Sequence, residues 1–381
     1  MHLRSSNSNV EHKETKHFPD FQRLPPSLGM CDTDMWNRAS FVTRLVASSV
    51  RISEAAGSII KNVMADGDLK IVDKSVQGEP EDLQTEADRR AQFLIVKSLT
   101  ERFGNINIIG EEEVTSECST VENSFAAEVL QIEKDVNPEL REVKPNEVSI
   151  QAPSPFLKGS FRKRKSICLD CFCFHVVVWV DPLDGTSEVA LAVKKKDFAL
   201  LEQITVLIGI AHRGRPIAGV IHQPFHGNAG RTIWAIEGCG VHGIIPAGVQ
   251  PQRVVVTTRS HLNQSVLDAL NALKEKGLVD VVEKFGGAGY KVIKVLEGSA
   301  AYVFASAGCK KWDTCAVEAV LNAAGGQLTD ISGRHLCYEP TVQRNNTGGV
   351  LASASWVNHQ DYILSIPKSL KDQLPEIAAK S

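Results

Sequence analysis

Apolar residues recur along this chain with periods that change at clear punctuation, and the changes predict its elements. Val42, Leu45, Val46, Val50, Ile52, Ile59, Ile60 and Val63 fall largely three and four residues apart, which predicts a helix over 36–64 stopped by Asp66-Gly67-Asp68. A short strand is expected at 70–72. A second helix runs from Thr85 to about Phe103, with Ala91, Leu94, Ile95 and Leu99 among its apolar positions. Thr85 and Asp88 have the spacing of an N-terminal capping pair. The run Val176-Val177-Val178-Trp179 reads as a buried strand. Strands are also expected at 107–110, 204–211, 217–221, 232–236, 253–258, 279–283, 301–306, 327–330 and 350–352, with Gly214 and Arg215 turning a hairpin before Ile217. Further helices are expected at 263–276, behind Gly286-Gly287-Ala288-Gly289, at 315–324 before Gly325-Gly326, and at 360–374.

Three stretches lack such order. Residues 1–35 are polar and aperiodic, which predicts a disordered extension. Residues 118–175 combine a helical piece (123–134), a polar linker with prolines (138–155), the basic cluster Arg162-Lys163-Arg164-Lys165, and Cys168, Cys171 and Cys173. The basic cluster reads as a solvated loop, and the cysteine spacing lacks the second matched pair of a zinc site. Residues 189–203, with Lys194-Lys195-Lys196, also lack the periodicity of an element.

Composition narrows the class. A length of 381 residues suits roughly two to three domain units or one large two-part enzyme, and 43% hydrophobic with 23% charged residues is ordinary for a globular protein. A net charge of −3 gives no bulk attraction to nucleic acid or acidic membranes. Nine scattered cysteines, an odd number, fit a reducing compartment. No signal-peptide core is visible in 1–30, so a cytosolic location is expected.

The chemistry gathers at strand ends. Asp181 and Asp184 follow the buried run, where Pro182 is expected to stop the ladder and Asp184-Gly185 to turn the chain. Acids converging there repel unless a cation lies between them, and a hard ion such as Mg²⁺ takes oxygen ligands of this kind. A bare Asp-Gly is more often a solvated turn; the whole stretch after a buried strand favours the metal. Glu111 follows the strand at 107–110 and is the first of three acids. Asp313 is a candidate N-cap and a third acid at an element boundary. Gly286–Gly289 can turn backbone N–H groups towards an anion, and Lys291 in the first turn strengthens that reading.

Together these segments resemble the lithium-sensitive, Mg²⁺-dependent phosphomonoesterases of the inositol monophosphatase and fructose-1,6-bisphosphatase superfamily, and within it the bisphosphate nucleotidases. Four segments carry the resemblance: Asp82-Leu83-Gln84-Thr85-Glu86-Ala87-Asp88, Ile108-Ile109-Gly110-Glu111-Glu112, residues 179–186, and Trp312-Asp313-Thr314-Cys315-Ala316. It implies an α/β fold, a layered α-β-α-β-α sandwich, with a metal-bearing half over 36–243 and a substrate half over 244–381. It implies metal ligation by Glu111, Asp181, Asp184, Asp313 and the carbonyl of Leu183, with two or three Mg²⁺ ions. Asp88 and Thr186 match the water-activating pair. Thr186, Thr258, Ser260, His261, Gly287 and Lys291 match positions that hold the nucleotide, Lys291 and N–H groups near Gly287 suiting the phosphate that is not cleaved. For His261, capping of the following helix is the plainer alternative.

The implied reaction removes the 3′-phosphate of adenosine 3′,5′-bisphosphate, giving AMP and phosphate. 3′-Phosphoadenylyl sulfate is chemically equivalent, and inositol 1,4-bisphosphate is a side substrate by resemblance. The alternatives are an inositol phosphate phosphatase and a protein that binds nucleotide without turnover. The implied protein is a monomer with a small-molecule nucleotide substrate and neither nucleic-acid nor membrane partners. The chain departs from the family pattern at 118–175 and 189–203, on either side of the Asp181–Thr186 stretch.

Overall fold

Helix α1 (Phe41–Asp66) buries Val42, Leu45, Val46, Ile52, Ile59, Ile60 and Val63, the stripe its periodicity predicts. Ser40 caps its first turn, and Gly67 ends it in the left-handed conformation with φ +76°. The chain is described by a computed structural model over residues 40–67, 69–75, 83–104, 106–112 and 175–375. The expected N-terminal extension, the basic cluster, the Cys168–Cys173 run and Asp82 lie outside these residues.

Helix α2 (Glu86–Phe103) packs beside α1, and both cover one face of a six-stranded sheet. That sheet is ordered β3 (Asn107–Gly110), β4 (Val176–Asp184), β5 (Thr205–His212), β6 (Arg215–Gln223), β7 (Arg231–Ile236) and β8 (Gly240–His242). Two short strands, β1 (Val72–Asp73) and β2 (Leu83–Gln84), pair beside it. The alternation along β4 divides the core: Val176, Val178 and Val180 join the α1–α2 side, whereas Val177 and Trp179 face the opposite layer.

That opposite layer is α5 (Ala288–Leu296) and α6 (Lys311–Ala323), with α3 (Thr186–Lys195) and α4 (Gln264–Glu275) preceding them in the chain. Beneath α5 and α6 lies a five-stranded sheet ordered β10 (Val281–Phe285), β9 (Val254–Thr258), β11 (Ala301–Phe304), β13 (Val350–Ser353) and β12 (Gln327–Thr329). Helices α4 and α7 (His359–Ser365) lie against that sheet, and α8 (Lys368–Gln373) follows. The layers therefore alternate helix, sheet, helix, sheet, helix, the α/β sandwich expected.

One pair of residues sets how closely the middle layer approaches. Gly209 on β5 pairs with Gly219 on β6. A Cβ on Gly209 would lie 2.6 Å from the Ala316 nitrogen, and one on Gly219 2.2 Å from the Ala316 oxygen. Helix α6 thus lies with its backbone directly on the sheet, a distance only glycine allows.

Several sequence expectations are corrected. Pro182 does not stop β4: the ladder to β5 resumes at Asp184, which pairs with Thr205 after an irregularity. Residues 189–203 are not irregular; they complete α3 and form the 3₁₀ turn Phe198–Gln203, started by the Asp197 side chain. Their helical signal is weak because only Val189 and Ala192 of that part of α3 are buried apolar residues. Helix α6 begins at Lys311, so Asp313 is its third residue rather than its cap. The last helix breaks into α7 and α8 at Pro367, which cannot continue the hydrogen-bond ladder. The hairpin turn is Arg213-Gly214, both with positive φ as a two-residue hairpin requires.

Candidate active site

In an unbroken strand, residues three apart point to opposite faces. Between Asp181 and Asp184, β4 advances three residues while β5 advances two, from Leu207 to Thr205. This one-residue bulge returns both acids to the same side. Asp181, Asp184 and Asp313 each offer an oxygen, all within 4.8 Å of one another. Asp313 is carried there by α6 and also accepts the Lys310 N–H at 2.7 Å.

Glu111 enters from the neighbouring parallel strand. Gly110 is in register with Val180, so Glu111 stands beside Asp181, and its N–H donates to the Val180 carbonyl at 3.0 Å. The Gln92 side chain of α2 pins this turn by accepting the Glu112 N–H at 2.9 Å and donating to the Glu112 carbonyl. Glu112, the second of the three acids, instead pairs with Lys74 and Gln84.

Asp181 and Asp184 are buried, and Glu111 and Asp313 are half-buried beside them. Burial, then the neighbouring acids Glu111, Asp184 and Asp313, push the Asp181 carboxyl well above its usual range. Burial and then Glu112, Asp313 and Asp88 do the same to Glu111. Asp313 is raised to about 6, by burial first and Asp184 second. Such a set of mutually repelling hard oxygen donors, with no thiolate or imidazole in it, fits a hard divalent cation.

Asp88 combines two roles that compete in a sequence reading. Its Oδ2 accepts from the Thr85 N–H at 2.7 Å and the Thr85 hydroxyl at 2.5 Å, closing the capping box of α2. Its Oδ1 accepts from the Thr186 hydroxyl at 3.0 Å. Thr186 Oγ1 also lies 3.1 Å from the Leu183 carbonyl, which places Leu183 against the same group. Burial raises the Asp88 pKa to about 6, while the bonds from Thr85 and Thr186 oppose the rise.

Asp184 reaches across to the next layer. It accepts from the Thr205 hydroxyl at 2.7 Å and from the N–H groups of Ala288 and Gly289 at 2.8 and 2.7 Å. The anion facing these N–H groups at the start of α5 is therefore the protein's own carboxylate. Gly287 allows this approach with φ +58°; a Cβ there would meet Asp184 Oδ2 at 2.8 Å.

The remaining candidates cluster around that helix start. Thr258 is buried at the end of β9, in register with Phe285 just before Gly287. Its hydroxyl accepts the His261 N–H at 3.2 Å. His261 is half-buried and Ser260 exposed. Asn263, not His261, caps α4. Lys291 is buried 5.2 Å from the centre of the Tyr302 ring. Burial lowers its pKa, and Asp184 and then Glu188 oppose the fall.

Sequence reading missed the groups that hold this end together. Glu188 is 2% exposed and lies 3.7 Å from Arg259. Gln203 Oε1 accepts from Arg259 at 3.0 Å and from the Gly286 N–H at 2.7 Å. Both Glu188 and Gln203 flank or fall within the stretch lacking periodicity; the available signal was a glutamate two residues after Thr186.

Comparison with known proteins agrees with the architecture. The inositol monophosphatase family profile matches residues 42–127 and 174–371. The chain is 41% identical over 343 residues to human "3'(2'),5'-bisphosphate nucleotidase 1", covering 87% of this chain and 96% of that protein. It is 35% identical over 201 residues, about half of each chain, to a bovine "Golgi-resident adenosine 3',5'-bisphosphate 3'-phosphatase". The crystal structure of CysQ from Bacteroides thetaiotaomicron, a bacterial member of the same family, superposes with a TM-score of 0.56 at 20% identity, over 83% of this chain and 98% of that one.

Proposed function

The chain belongs to the inositol monophosphatase family, and from that premise we infer that it is a phosphatase acting on bisphosphate nucleotides. The finer reading is hydrolysis of the 3′-phosphate of adenosine 3′,5′-bisphosphate to AMP and phosphate. 3′-Phosphoadenylyl sulfate serves equally, and inositol 1,4-bisphosphate is a side substrate. The observation that carries it is the Asp88–Thr186 hydrogen bond beside the acidic cluster, in a chain that spans almost all of a bisphosphate nucleotidase.

The family's enzymes are metal-dependent. We assign Mg²⁺ to Asp181, Asp184, Asp313, Glu111 and the Leu183 carbonyl. When bound, two or three such ions supply charge neutralisation at the phosphate and a more acidic water. Lithium sensitivity belongs to the same reading.

The chain's own groups account for the proton path. Thr186 donates its hydroxyl proton to Asp88 Oδ1, which frees its oxygen to take a proton from the attacking water. A threonine alone is a poor base, so the carboxylate partner is required. The water oxygen bonds to phosphorus as the P–O3′ bond breaks, and the departing 3′-oxygen takes a proton from solvent. With a pKa of about 6, Asp88 is ionised at neutral pH yet basic enough to receive the proton. Lys291 balances the second phosphate; Thr258, Ser260, His261 and Gly287 border the nucleoside. Among the described residues no helix is long and apolar enough to cross a membrane; a cytosolic monomer is the form we propose.

Phosphate release from adenosine 3′,5′-bisphosphate, measured beside inositol monophosphates with added Mg²⁺, tests the assignment. Preference for the nucleotide is expected. Preference for inositol phosphates would move the protein to the inositol phosphatases. Calorimetric nucleotide binding without phosphate release would make it a binding protein.

A further inference from the structure

A polar cleft of about 460 Å³ lies between α1 and the β6–β7 pair, apart from the acidic cluster. Glu54, Gly57, Ser58 and Lys61 form its α1 wall, a polar stripe at helical spacing on a largely apolar helix. Facing it are His222 and Thr232, a cross-strand pair. His222 is in register with Val206, whose side chain belongs to the α1 side of the core. Asp181 is in register with the next β5 residue, Leu207. The cleft therefore sits on the α1 face at the same end of the sheet as Asp181, which lies two strands away on β4.

The hydrogen bonds in this cleft have a determined direction. Glu54 is a carboxylate paired with Arg51 at 2.9 Å, so it accepts from the Thr232 hydroxyl at 3.0 Å. With that proton committed, Thr232 accepts from His222 Nδ1 at 2.9 Å. The neutral imidazole then carries its proton on Nδ1 and leaves Nε2 as an acceptor. Gly57 makes room for the ring; a Cβ there would lie 2.4 Å from Nε2. His222 is only 4% exposed, and burial, with Lys61 second, holds its pKa down to about 4. The Arg51–Glu54 pair cancels its own charge. Lys61 leaves one positive charge, and no carboxylate among the described residues pairs with it.

An acceptor nitrogen and an unbalanced ammonium in one cleft call for a ligand that is anionic and also carries a donatable proton. We propose that the cleft binds the phosphate group of inorganic hydrogen phosphate or a phosphate monoester, its P–OH donating to His222 Nε2 and its charged oxygens facing Lys61. Ser58, on the same wall, supplies a hydroxyl that now donates to the Glu54 carbonyl at 3.1 Å. This site is independent of the catalytic reading.

The test is ¹⁵N NMR of the His222 ring in the full chain, with divalent metal removed by EDTA so that no cation holds phosphate at the acidic cluster. At about pH 5.5, where inorganic phosphate and a phosphate monoester both keep a P–OH proton and the His222 ring is still neutral, inorganic phosphate is expected to move the Nε2 resonance saturably. Sulfate, which has no proton to donate, should bind about tenfold more weakly, as loss of one hydrogen bond predicts. Lys61→Met should weaken phosphate binding by about tenfold or more. In His222→Asn, calorimetry should find the preference for phosphate over sulfate gone. AMP as a second titrant separates the monoester from free phosphate. An Nε2 resonance unmoved by both, equal binding of sulfate, or an unchanged titration in Lys61→Met would each overturn the proposal.

Discussion

Thr186 Oγ1 stands 3.0 Å from Asp88 Oδ1, joining residues 98 positions apart, while the other Asp88 oxygen holds the first turn of α2. The cap fixes the carboxylate so that its free oxygen meets the hydroxyl. The proposed proton path uses the free oxygen alone. Asp88→Asn and Thr186→Val should therefore lower kcat by roughly 10²–10⁴-fold with KM nearly unchanged. Thr186→Ser should keep most of the rate. Asp88→Ala should also cost about 1 kcal/mol of stability through the lost cap, visible in urea melts. Because Asp88 must be ionised to accept the proton, kcat/KM should fall as pH drops through about 6; no acid limb in that region would contradict the assignment.

Metal binding should report on the buried acids. Burial and mutual repulsion favour the protonated forms of Asp181 and Glu111, so a cation must displace protons to bind. Mg²⁺ should raise the melting temperature more at pH 8 than at pH 5. At 100 times its Kd the gain is about 2.7 kcal/mol. EDTA should reverse it, and Asp181→Asn should abolish it. A Mg²⁺ shift of equal size in the variant would place the metal elsewhere.

The glycine contact under α6 should control activity from a distance. In Gly219→Ala, the added carbon meets the Ala316 oxygen at 2.2 Å, so α6 must lift from the sheet. Overpacking of this kind costs roughly 1–3 kcal/mol. Since α6 carries Asp313, Mg²⁺ affinity should fall as well. Gly248→Ala, where nothing lies within 4 Å, is the matching control and should leave both unchanged.

A buried acid outside the site should shape stability. Glu318 accepts the Tyr338 hydroxyl at 2.5 Å, and burial raises its pKa to about 7 against the partial relief from Tyr338 and Lys311. The folded state then holds a proton that the unfolded chain releases near pH 4.5. Stability from this group is complete below that value and is lost as pH rises towards 7, by roughly 2–4 kcal/mol. Glu318→Gln should remove that dependence and stabilise the protein at pH 8 relative to the parent. Denaturant melts at both pH values measure it.

Much of this was legible in one dimension because local rules carry it. The stripe of α1, the capping pair Thr85–Asp88 and the apolar run of β4 each depend on neighbours within a few residues, and each formed as its pattern requires. Where local signals were mixed, the reading failed: residues 189–203 have little buried apolar surface, yet they form a helix and a 3₁₀ turn that deliver Gln203 to Gly286.

The residue types of the site, and the strand ends and helix starts that carry them, were set by the sequence alone. What tertiary structure decided was direction. A one-residue bulge, rather than Pro182, turns Asp181 and Asp184 to one side. Two glycines across a ladder bring Asp313 down to them. The N–H groups of Ala288 and Gly289 point at Asp184 because α5 is stacked against that end of β4 and β5. Hydrophobic alternation assigns strand residues to a face, but the bulge in β4 and the spacing of the layers come from contacts between distant segments.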